Sequence, residues 1–192
     1  MSKIFYVMGK SASGKDTIYK RLLVECSLHA LVPYTTRPMR NGEEDGKDYH
    51  FTDEAGLKKL RENGKVVEER CYHTVHGDWF YFTVDDTSGE GDYLAIGTPQ
   101  SYGALRKYYG EEKCIPLYIE VEDGVRLERA LARERAQKEP KYKEMCRRFI
   151  ADTEDFAPEV IKKLGIEKKF QNEELEACIA NIKSYIEEVS HG

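Results

Sequence analysis

The sequence lacks any apolar run of about 18 residues, so it contains no candidate transmembrane helix. It also shows no apolar h-region of a signal peptide near its first residue. Its five cysteines are scattered and odd in number, without a CxxC pair, which is typical of a reduced protein and offers no metal-binding spacing. From these absences we expect a cytoplasmic protein with no membrane partner.

An excess of positive charge is also missing, because 30 Lys and Arg residues are set against 35 Asp and Glu residues, for a formal net charge of -5. That balance argues against non-specific binding of nucleic acid. With 40% hydrophobic and 34% charged residues, a chain of 192 residues is expected to form one globular domain with a sizeable core. We therefore expect small-molecule ligands, and either a monomer or a homodimer.

Short apolar segments alternate with helical patterns along most of the chain. The apolar runs that predict strands cover residues 4–8, 28–33, 92–96 and 114–121. Helical spacing of apolar residues covers 16–25, 123–137, 143–156 and 172–189, and Thr98-Pro99 marks one further helix start. Strands that alternate with helices predict an α/β fold, in which a parallel sheet lies between two layers of helices.

Residues 34–91 interrupt this alternation. They are rich in glycine, charged residues and aromatic residues, and they hold only short strand-like pieces. This composition does not fit another strand–helix unit. We therefore interpret residues 34–91 as a lobe inserted into a core that is formed by residues 1–33 and 92–192.

The clearest motif is Gly9-Lys10-Ser11-Ala12-Ser13-Gly14-Lys15, between a predicted strand and a predicted helix. Its spacing is that of the P-loop, whose glycines let backbone N–H groups point at phosphate oxygens beside a helix N-terminus. Lys15 is expected to reach the β- and γ-phosphates of ATP, and the alternative is a chance glycine-rich turn. The predicted ATP-binding residues of the motif and the first helical turn are Gly9, Ser11, Ala12, Ser13, Gly14, Lys15, Asp16 and Thr17.

The residue after Lys15 departs from the P-loop pattern. Ser or Thr usually stands there and binds Mg²⁺ through its hydroxyl, but here the residue is Asp16. A carboxylate is a hard oxygen ligand that suits Mg²⁺, so Asp16 is the candidate metal ligand, with Thr17 as a weaker one. The competing interpretation is that Asp16 only stabilises the helix dipole from the first turn.

A second motif, TTRPMRNGEEDGKDYHF, covers residues 35–51. Arg37 and Arg40 can form bidentate hydrogen bonds with a phosphate dianion, and Tyr49 can add a neutral donor. Alone, such a segment is more often a solvated loop. Together with the P-loop upstream it resembles the guanylate kinase family, whose signature TTRxxRxGExxGxDYxF is matched at every fixed position.

The resemblance implies an ATP- and Mg²⁺-dependent kinase that phosphorylates GMP or dGMP. The inserted lobe would bind the acceptor, whose phosphate would be held by Arg37, Arg40 and Tyr49. Glu68 would accept hydrogen bonds from the guanine edge, unless it is only an exposed strand carboxylate. Tyr81, or its neighbour Phe80, falls in a segment (residues 75–81) that is similar to a phosphate-contacting segment of the family, although an aromatic cluster of this kind is equally often core.

In the second half of the chain the resemblance implies a short helical lid over residues 133–148. Arg133 and Arg148 would neutralise charge on the transferred phosphoryl group, with Arg129 and Arg135 as less certain neighbours. On composition alone these are surface arginines. Asn172 matches the position where the family contacts adenine, or it only caps the last helix.

The sequence departs from the family in two further places. Pro33 stands where the family has a serine that contacts the acceptor, and residues 94–98 (LAIGT) contain none of the aspartates that the family carries there. The second departure weakens the preference for guanine over other bases. Two alternatives therefore stay open: a kinase for another nucleotide or a sugar bisphosphate, and a non-catalytic module that binds phosphopeptides.

Overall fold

The computed structural model describes residues 2–40, 42–74, 77–87 and 89–191. The strands in these residues are β1 (Ile4–Met8), β2 (His29–Ala30), β3 (Tyr34–Thr35), β4 (His50–Phe51), β5 (Val66–Thr74), β6 (Gly77–Val84), β7 (Tyr93–Gly97), β8 (Cys114–Glu120) and β9 (Lys169–Gln171). The helices are α1 (Lys15–Glu25), α2 (Glu54–Glu62), α3 (Pro99–Tyr109), α4 (Asp123–Arg135), α5 (Tyr142–Asp155), α6 (Pro158–Lys163) and α7 (Leu175–His191).

The main sheet has five parallel strands in the order β2-β7-β1-β8-β9. Its central strand β1 is apolar at every position because both of its faces are covered. Phe5 and Val7 pack in one core cluster with α1 and α7. Ile4, Tyr6 and Met8 point to the opposite face and pack with α3 and α6. The predicted three-layer α/β sandwich is therefore confirmed.

A second sheet lies within the segment between residues 34 and 84. Its order is β4-β3-β6-β5, and β5 and β6 form a long antiparallel hairpin. Leu57 of α2 packs with Phe82 and Val84 of β6 in a small separate core. Helix α2 was not predicted, although Asp53 caps it by accepting a hydrogen bond from the Gly56 N–H at 2.7 Å.

The start of α3 follows the sequence prediction. The Thr98 hydroxyl accepts a hydrogen bond from the Ser101 N–H, and the Ser101 hydroxyl accepts one from the Thr98 N–H, while Pro99 occupies the first turn. This capping box fixes the end of β7 against the first turn of α3. Thr98 is thereby held at the edge of the sheet where β1 also ends.

Several predicted boundaries are wrong. The strand predicted over residues 28–33 is only His29–Ala30, and the last helix begins at Leu175 rather than at Asn172. Strand β9 was missed because only Phe170 is buried among its three residues, which leaves no apolar run to detect. Helix α6 was missed because its six residues, which begin with Pro158, are too few for a periodic pattern.

Among the residues that the structure describes, no helix combines the length and the apolar character that a membrane span requires.

Candidate active site

The predicted phosphate cradle is the turn between β1 and α1. Ala12 has φ 62° and Gly14 has φ 85°, so the chain makes two left-handed steps before α1 begins. A side chain on Gly14 would be strained by this backbone, and its Cβ would lie 2.4 Å from Nδ2 of Asn172. The Ser13 N–H donates to the Lys10 carbonyl at 3.1 Å, which closes the turn.

Gly9 has no room for a side chain. A Cβ there would lie 2.6 Å from the Ile119 carbonyl oxygen and 2.7 Å from the Ser13 hydroxyl. We expect Gly9→Ala to displace the cradle and to raise the Kd for ATP by about tenfold or more, which calorimetric titration measures. Gly103→Ala is the matched control, because its Cβ would meet only the flexible end of Leu164. Unchanged ATP affinity in a folded Gly9→Ala protein would show that this contact does not shape the cradle.

Asn172 supports the cradle from the end of β9. Its side chain is 3% exposed, and Nδ2 donates to the Ser13 carbonyl at 2.7 Å. Its backbone N–H donates to the Glu120 carbonyl at 2.9 Å. The interpretation of Asn172 as a helix cap is wrong, because α7 begins three residues later. A contact between Asn172 and adenine stays a prediction.

A buried ion pair holds the other side of the cradle. Arg126 of α4 has no exposed surface, and its Nη1 donates to Asp152 Oδ2 at 2.9 Å and to the Ser11 carbonyl at 3.1 Å. Asp152 of α5 accepts a hydrogen bond from the Ser11 N–H at 2.8 Å. The Phe149 ring lies 4.7 Å from the Arg126 guanidinium. The backbone of Ser11 is thus tied to two helices at once.

Arg126 and Asp152 were not among the site residues predicted from the sequence. Each lies on a charged amphipathic helix, where an arginine or an aspartate predicts a solvated position. One signal was available: Arg126 follows the acidic first turn of α4 by three residues, and its Nε indeed donates to Asp123 at 3.1 Å. That spacing indicates a surface pair rather than a contact with the P-loop.

Lys15 and Asp16 lie at the open side of the cradle. The Lys15 ammonium donates to the Asp16 carboxylate at 3.3 Å, and the Asp16 side chain is 76% exposed. An exposed carboxylate next to the lysine that is predicted to hold the phosphates fits a hard divalent cation such as Mg²⁺. The alternative role of Asp16 at the helix dipole is compatible with the same position, since Asp16 lies in the first turn of α1.

A cavity of about 500 Å³ opens between the two sheets. Arg40, Tyr49 and Tyr81 line it, and the Tyr81 hydroxyl accepts a hydrogen bond from Arg37 Nε at 3.0 Å. The rings of Tyr49 and Tyr81 meet edge to face, and burial raises the pKa of the Tyr49 hydroxyl. The Tyr49 hydroxyl is therefore a neutral donor at neutral pH. Phe80, the alternative to Tyr81, has its backbone paired with Thr36.

Arg37 is held behind these tyrosines. Its side chain is 3% exposed, and it forms a bidentate ion pair with Glu43, at 2.7 Å from Nη1 and 2.5 Å from Nη2. This hydrogen bonding lowers the pKa of Glu43. Glu43 also accepts a hydrogen bond from the Arg40 N–H at 2.8 Å. Glu43, which was not among the predicted site residues, thus fixes the positions of both predicted clamp arginines.

Removing the Glu43 charge is expected to loosen this clamp. We expect Glu43→Gln to lower the free energy of unfolding by about 1–3 kcal/mol at neutral pH, because a buried guanidinium loses a charged partner. Because the pKa of Glu43 is lowered in the folded protein, the ion pair stabilises the protein fully at pH values above the ordinary carboxyl pKa. This contribution disappears as the pH falls through the lowered pKa of Glu43. Urea unfolding over a pH series measures both effects.

Glu44→Gln provides the control for this substitution. Glu44 is exposed and pairs with exposed Lys47, so its replacement is expected to change stability by less than about 0.5 kcal/mol. Equal stability of the two variants would contradict a structural role for Glu43.

Glu68 is 8% exposed, so its interpretation as an exposed strand carboxylate is wrong. Arg70 donates to it from Nε at 3.1 Å and from Nη2 at 3.3 Å, and the Thr83 hydroxyl donates at 2.9 Å. Its role toward guanine stays a prediction. Val75 and His76, which open the segment compared with the family, lie outside the residues that the structure describes.

The predicted lid arginines lie on α4 and α5. Arg148 is exposed and donates to Glu144 at 2.9 Å. Hydrogen bonds from Arg147 and Arg148 lower the pKa of Glu144 to about 2, so its carboxylate stays ionised. Arg133 and Arg148 together line a second cavity that reaches Ser11 of the cradle. The neighbouring candidates are Arg129, which donates to the Asn172 carbonyl at 3.1 Å, and Arg135, which is exposed.

The end of β7 has no room for an aspartate side chain at Gly97. A Cβ on Gly97 would lie 2.2 Å from the Tyr6 hydroxyl and 3.0 Å from the Ser101 hydroxyl. These two hydroxyls are hydrogen-bonded to each other at 2.6 Å. Pro33 lines the cavity nearby and offers no donor. Both departures from the family pattern therefore lie on the wall of the cavity.

Comparison with known proteins agrees with this geometry. The chain is 41% identical over 78 residues to the guanylate kinase of Nitratidesulfovibrio vulgaris, a match that covers 40% of this chain and 36% of the relative. It is 29% identical over 117 residues to the guanylate kinase of Nitrosomonas europaea, covering 60% of this chain and 58% of the relative. In both cases less than two thirds of the relative is spanned.

A solved structure and a family model extend the match over nearly the whole chain. The crystal structure of guanylate kinase from Anaplasma phagocytophilum has the same fold, with a TM-score of 0.65 at 20% identity over 97% of this chain and 85% of that chain. The family model described as guanylate kinase matches residues 1–189. The resemblance seen in the sequence is thus confirmed, and the chain belongs to the guanylate kinase family.

Proposed function

We propose that this protein transfers the γ-phosphoryl group of ATP to GMP or dGMP. The observation that carries the proposal is the position of Arg148. It lines the large cavity together with Arg40, Tyr49 and Tyr81, and it also lines the smaller cavity that reaches Ser11 of the cradle. A phosphoryl group that passes from the cradle to an acceptor in the large cavity would pass this arginine.

The mechanism needs no covalent enzyme intermediate. An oxygen of the acceptor phosphate attacks the γ-phosphorus in line, and the bridging oxygen leaves with ADP. Lys15 and the lid arginines Arg133 and Arg148 neutralise the charge on the transferred group. Arg40 orients the acceptor, and Arg37 supports it through the Tyr81 hydroxyl, to which its Nε donates. We propose that residues 34–91 act as the acceptor lobe and residues 133–148 as the lid, and that their closure over the core excludes water.

Mg²⁺ is the proposed metal, with Asp16 as its protein ligand. When bound, it would neutralise charge on the β- and γ-phosphates. The exposed Asp16 carboxylate, next to the Lys15 ammonium, supports this assignment. For the location, the five free thiols support the cytoplasm.

A second candidate keeps ATP but changes the acceptor, and the closed end of β7 at Gly97 favours it. A phosphopeptide-binding module is less well supported, because such a module has no use for the cradle and Lys15. Initial rates of ADP formation with a panel of GMP, dGMP, AMP, UMP and a sugar bisphosphate separate the candidates. GMP-dependent ADP formation supports the proposal, and turnover with other acceptors alone rejects it. Retained phosphopeptide binding without any turnover would support the module.

A further inference from the structure

Arg70 lies on the wall of the large cavity, beside Glu68, the predicted base-reading residue. It comes two residues after Glu68 on β5, its side chain is 15% exposed, and it lines the large cavity. Its Nη1 donates to the Thr98 hydroxyl at 3.4 Å, which brings it across to the end of β7. One guanidinium therefore spans the two strands from which a base would be recognised.

Arg70 also pairs with Glu68, the residue that the family resemblance predicts to accept hydrogen bonds from guanine. Both oxygens of Glu68 accept hydrogen bonds from Arg70, and Oε1 accepts a further one from Thr83. A carboxylate reads the 2-amino group of guanine only through oxygens that face the base. Glu68 is buried and already carries three donors, so this capacity is reduced.

The cavity holds no replacement for Glu68. Among the described residues that line it, the one acid is Glu144, which is ion-paired with Arg147 and Arg148 on the lid side. The end of β7 excludes a side chain at Gly97. Among the described lining residues, the base end of the cavity therefore offers a guanidinium and hydroxyl groups but no carboxylate.

Guanine and hypoxanthine share the 6-oxo group and N7, both acceptors, and differ in the 2-amino group that only guanine carries. An arginine fork suits the 6-oxo and N7 acceptors, and Arg70 has a second N–H on both Nη1 and Nη2 beyond those that it donates to Thr98 and Glu68. A site that makes no hydrogen bond to a group does not discriminate strongly against an analogue that lacks it. Adenine presents a 6-amino donor toward the same fork and is disfavoured.

We propose that this site phosphorylates IMP as well as GMP, with Arg70 as the residue that sets this breadth. The inference rests on the proposed kinase function. An IMP phosphate oxygen forms the new bond to the γ-phosphorus, the bond from the γ-phosphorus to the bridging oxygen breaks, and its electron pair leaves with ADP. The products are IDP and ADP, and no further reactant is needed.

The test is kcat/KM for GMP, IMP and AMP with the full chain, from ADP formation at saturating ATP. We expect the wild-type values for GMP and IMP to agree within about tenfold and AMP to be at least about a hundredfold poorer. Arg70→Met releases Glu68 and is expected to shift the GMP-to-IMP ratio at least about tenfold toward GMP. Arg61→Met is the matched control, because Arg61 is an exposed arginine of the same lobe, and it should leave the ratio unchanged.

A wild-type preference for GMP over IMP above about a hundredfold would overturn the inference. So would an Arg70→Met protein that turns over GMP with an unchanged ratio. If Arg70→Met does not fold, Arg70→Lys, which cannot form the bidentate pair with Glu68, is expected to give an intermediate shift. Calorimetric titration of the wild type with GMP and with IMP separates the kinase function from this inference. Equal affinities without turnover would reject the kinase function but retain recognition of both nucleotides. Binding of GMP alone would reject the inference.

Discussion

Lys15→Ala is expected to lower the rate of GMP-dependent ADP formation by about a thousandfold, the scale seen when a charged group that stabilises a transferred phosphoryl is removed. Lys15 follows the two left-handed steps of the cradle, so its side chain starts at the N-terminus of α1. The other lysine of the cradle, Lys10, pairs with Asp123 at 3.1 Å. The kcat from steady-state kinetics measures the effect.

The same substitution should leave the fold intact. The Lys15 ammonium donates to Asp16, which is exposed, and an exposed ion pair of this kind contributes at most about 1 kcal/mol. The melting temperature of Lys15→Ala should therefore stay close to that of the wild type. Lys20→Ala is the matched control, since Lys20 is an exposed lysine of the same helix and should retain full activity. A Lys15→Ala enzyme within tenfold of the wild-type rate would contradict the assignment of the cradle.

Arg126→Met is expected to lower the free energy of unfolding by about 3–5 kcal/mol, the largest stability change that we predict for this chain. Arg126 is fully buried, and its removal leaves the carboxylate of Asp152 buried without its charged partner. The Ser11 carbonyl also loses a donor at 3.1 Å. Urea unfolding followed by circular dichroism measures the change.

A double-mutant cycle separates the ion pair from simple loss of packing. Asp152→Asn removes the charge but keeps an oxygen that can accept from the Ser11 N–H. The double variant Arg126→Met/Asp152→Asn should therefore be more stable than Arg126→Met alone, with a coupling energy of about 1–3 kcal/mol. Arg135→Met, at the exposed end of α4, is the control and should change stability by less than about 0.5 kcal/mol. Additive single effects would show that the pair does not act as a unit.

Much of the fold was predictable because its strong signals are local. The apolar run Ile4–Met8 has the same bounds in the sequence and in the structure, and Thr98-Pro99 predicted the start of α3 correctly. Strand β9 escaped detection because it joins the sheet through pairing with β8, and only Phe170 contributes a buried side chain. A three-residue edge strand is defined by its neighbour rather than by its own pattern.

Candidate site residues could be predicted where they form a contiguous motif. Contacts between residues that are far apart in the chain could not be predicted. Gly14-Lys15 and the segment 35–51 carry their own signatures. The ion pair between Arg126 and Asp152 joins residues on two helices. The sequence of each helix is highly charged, which predicts solvent-exposed side chains rather than a buried pair. Arg70 was passed over for a different reason. Its pairing with Glu68 depends on the β5–β6 hairpin, whose register places Thr83 against Glu68.

The most direct measurement is to follow the label from γ-labelled ATP after incubation with GMP, magnesium and the wild-type protein. We predict that the label appears in GDP, at a rate that depends on GMP concentration, and that it does not appear with Lys15→Ala. Label that stays in ATP, or that is released only as inorganic phosphate by a folded protein that binds both nucleotides, would contradict phosphoryl transfer at this site.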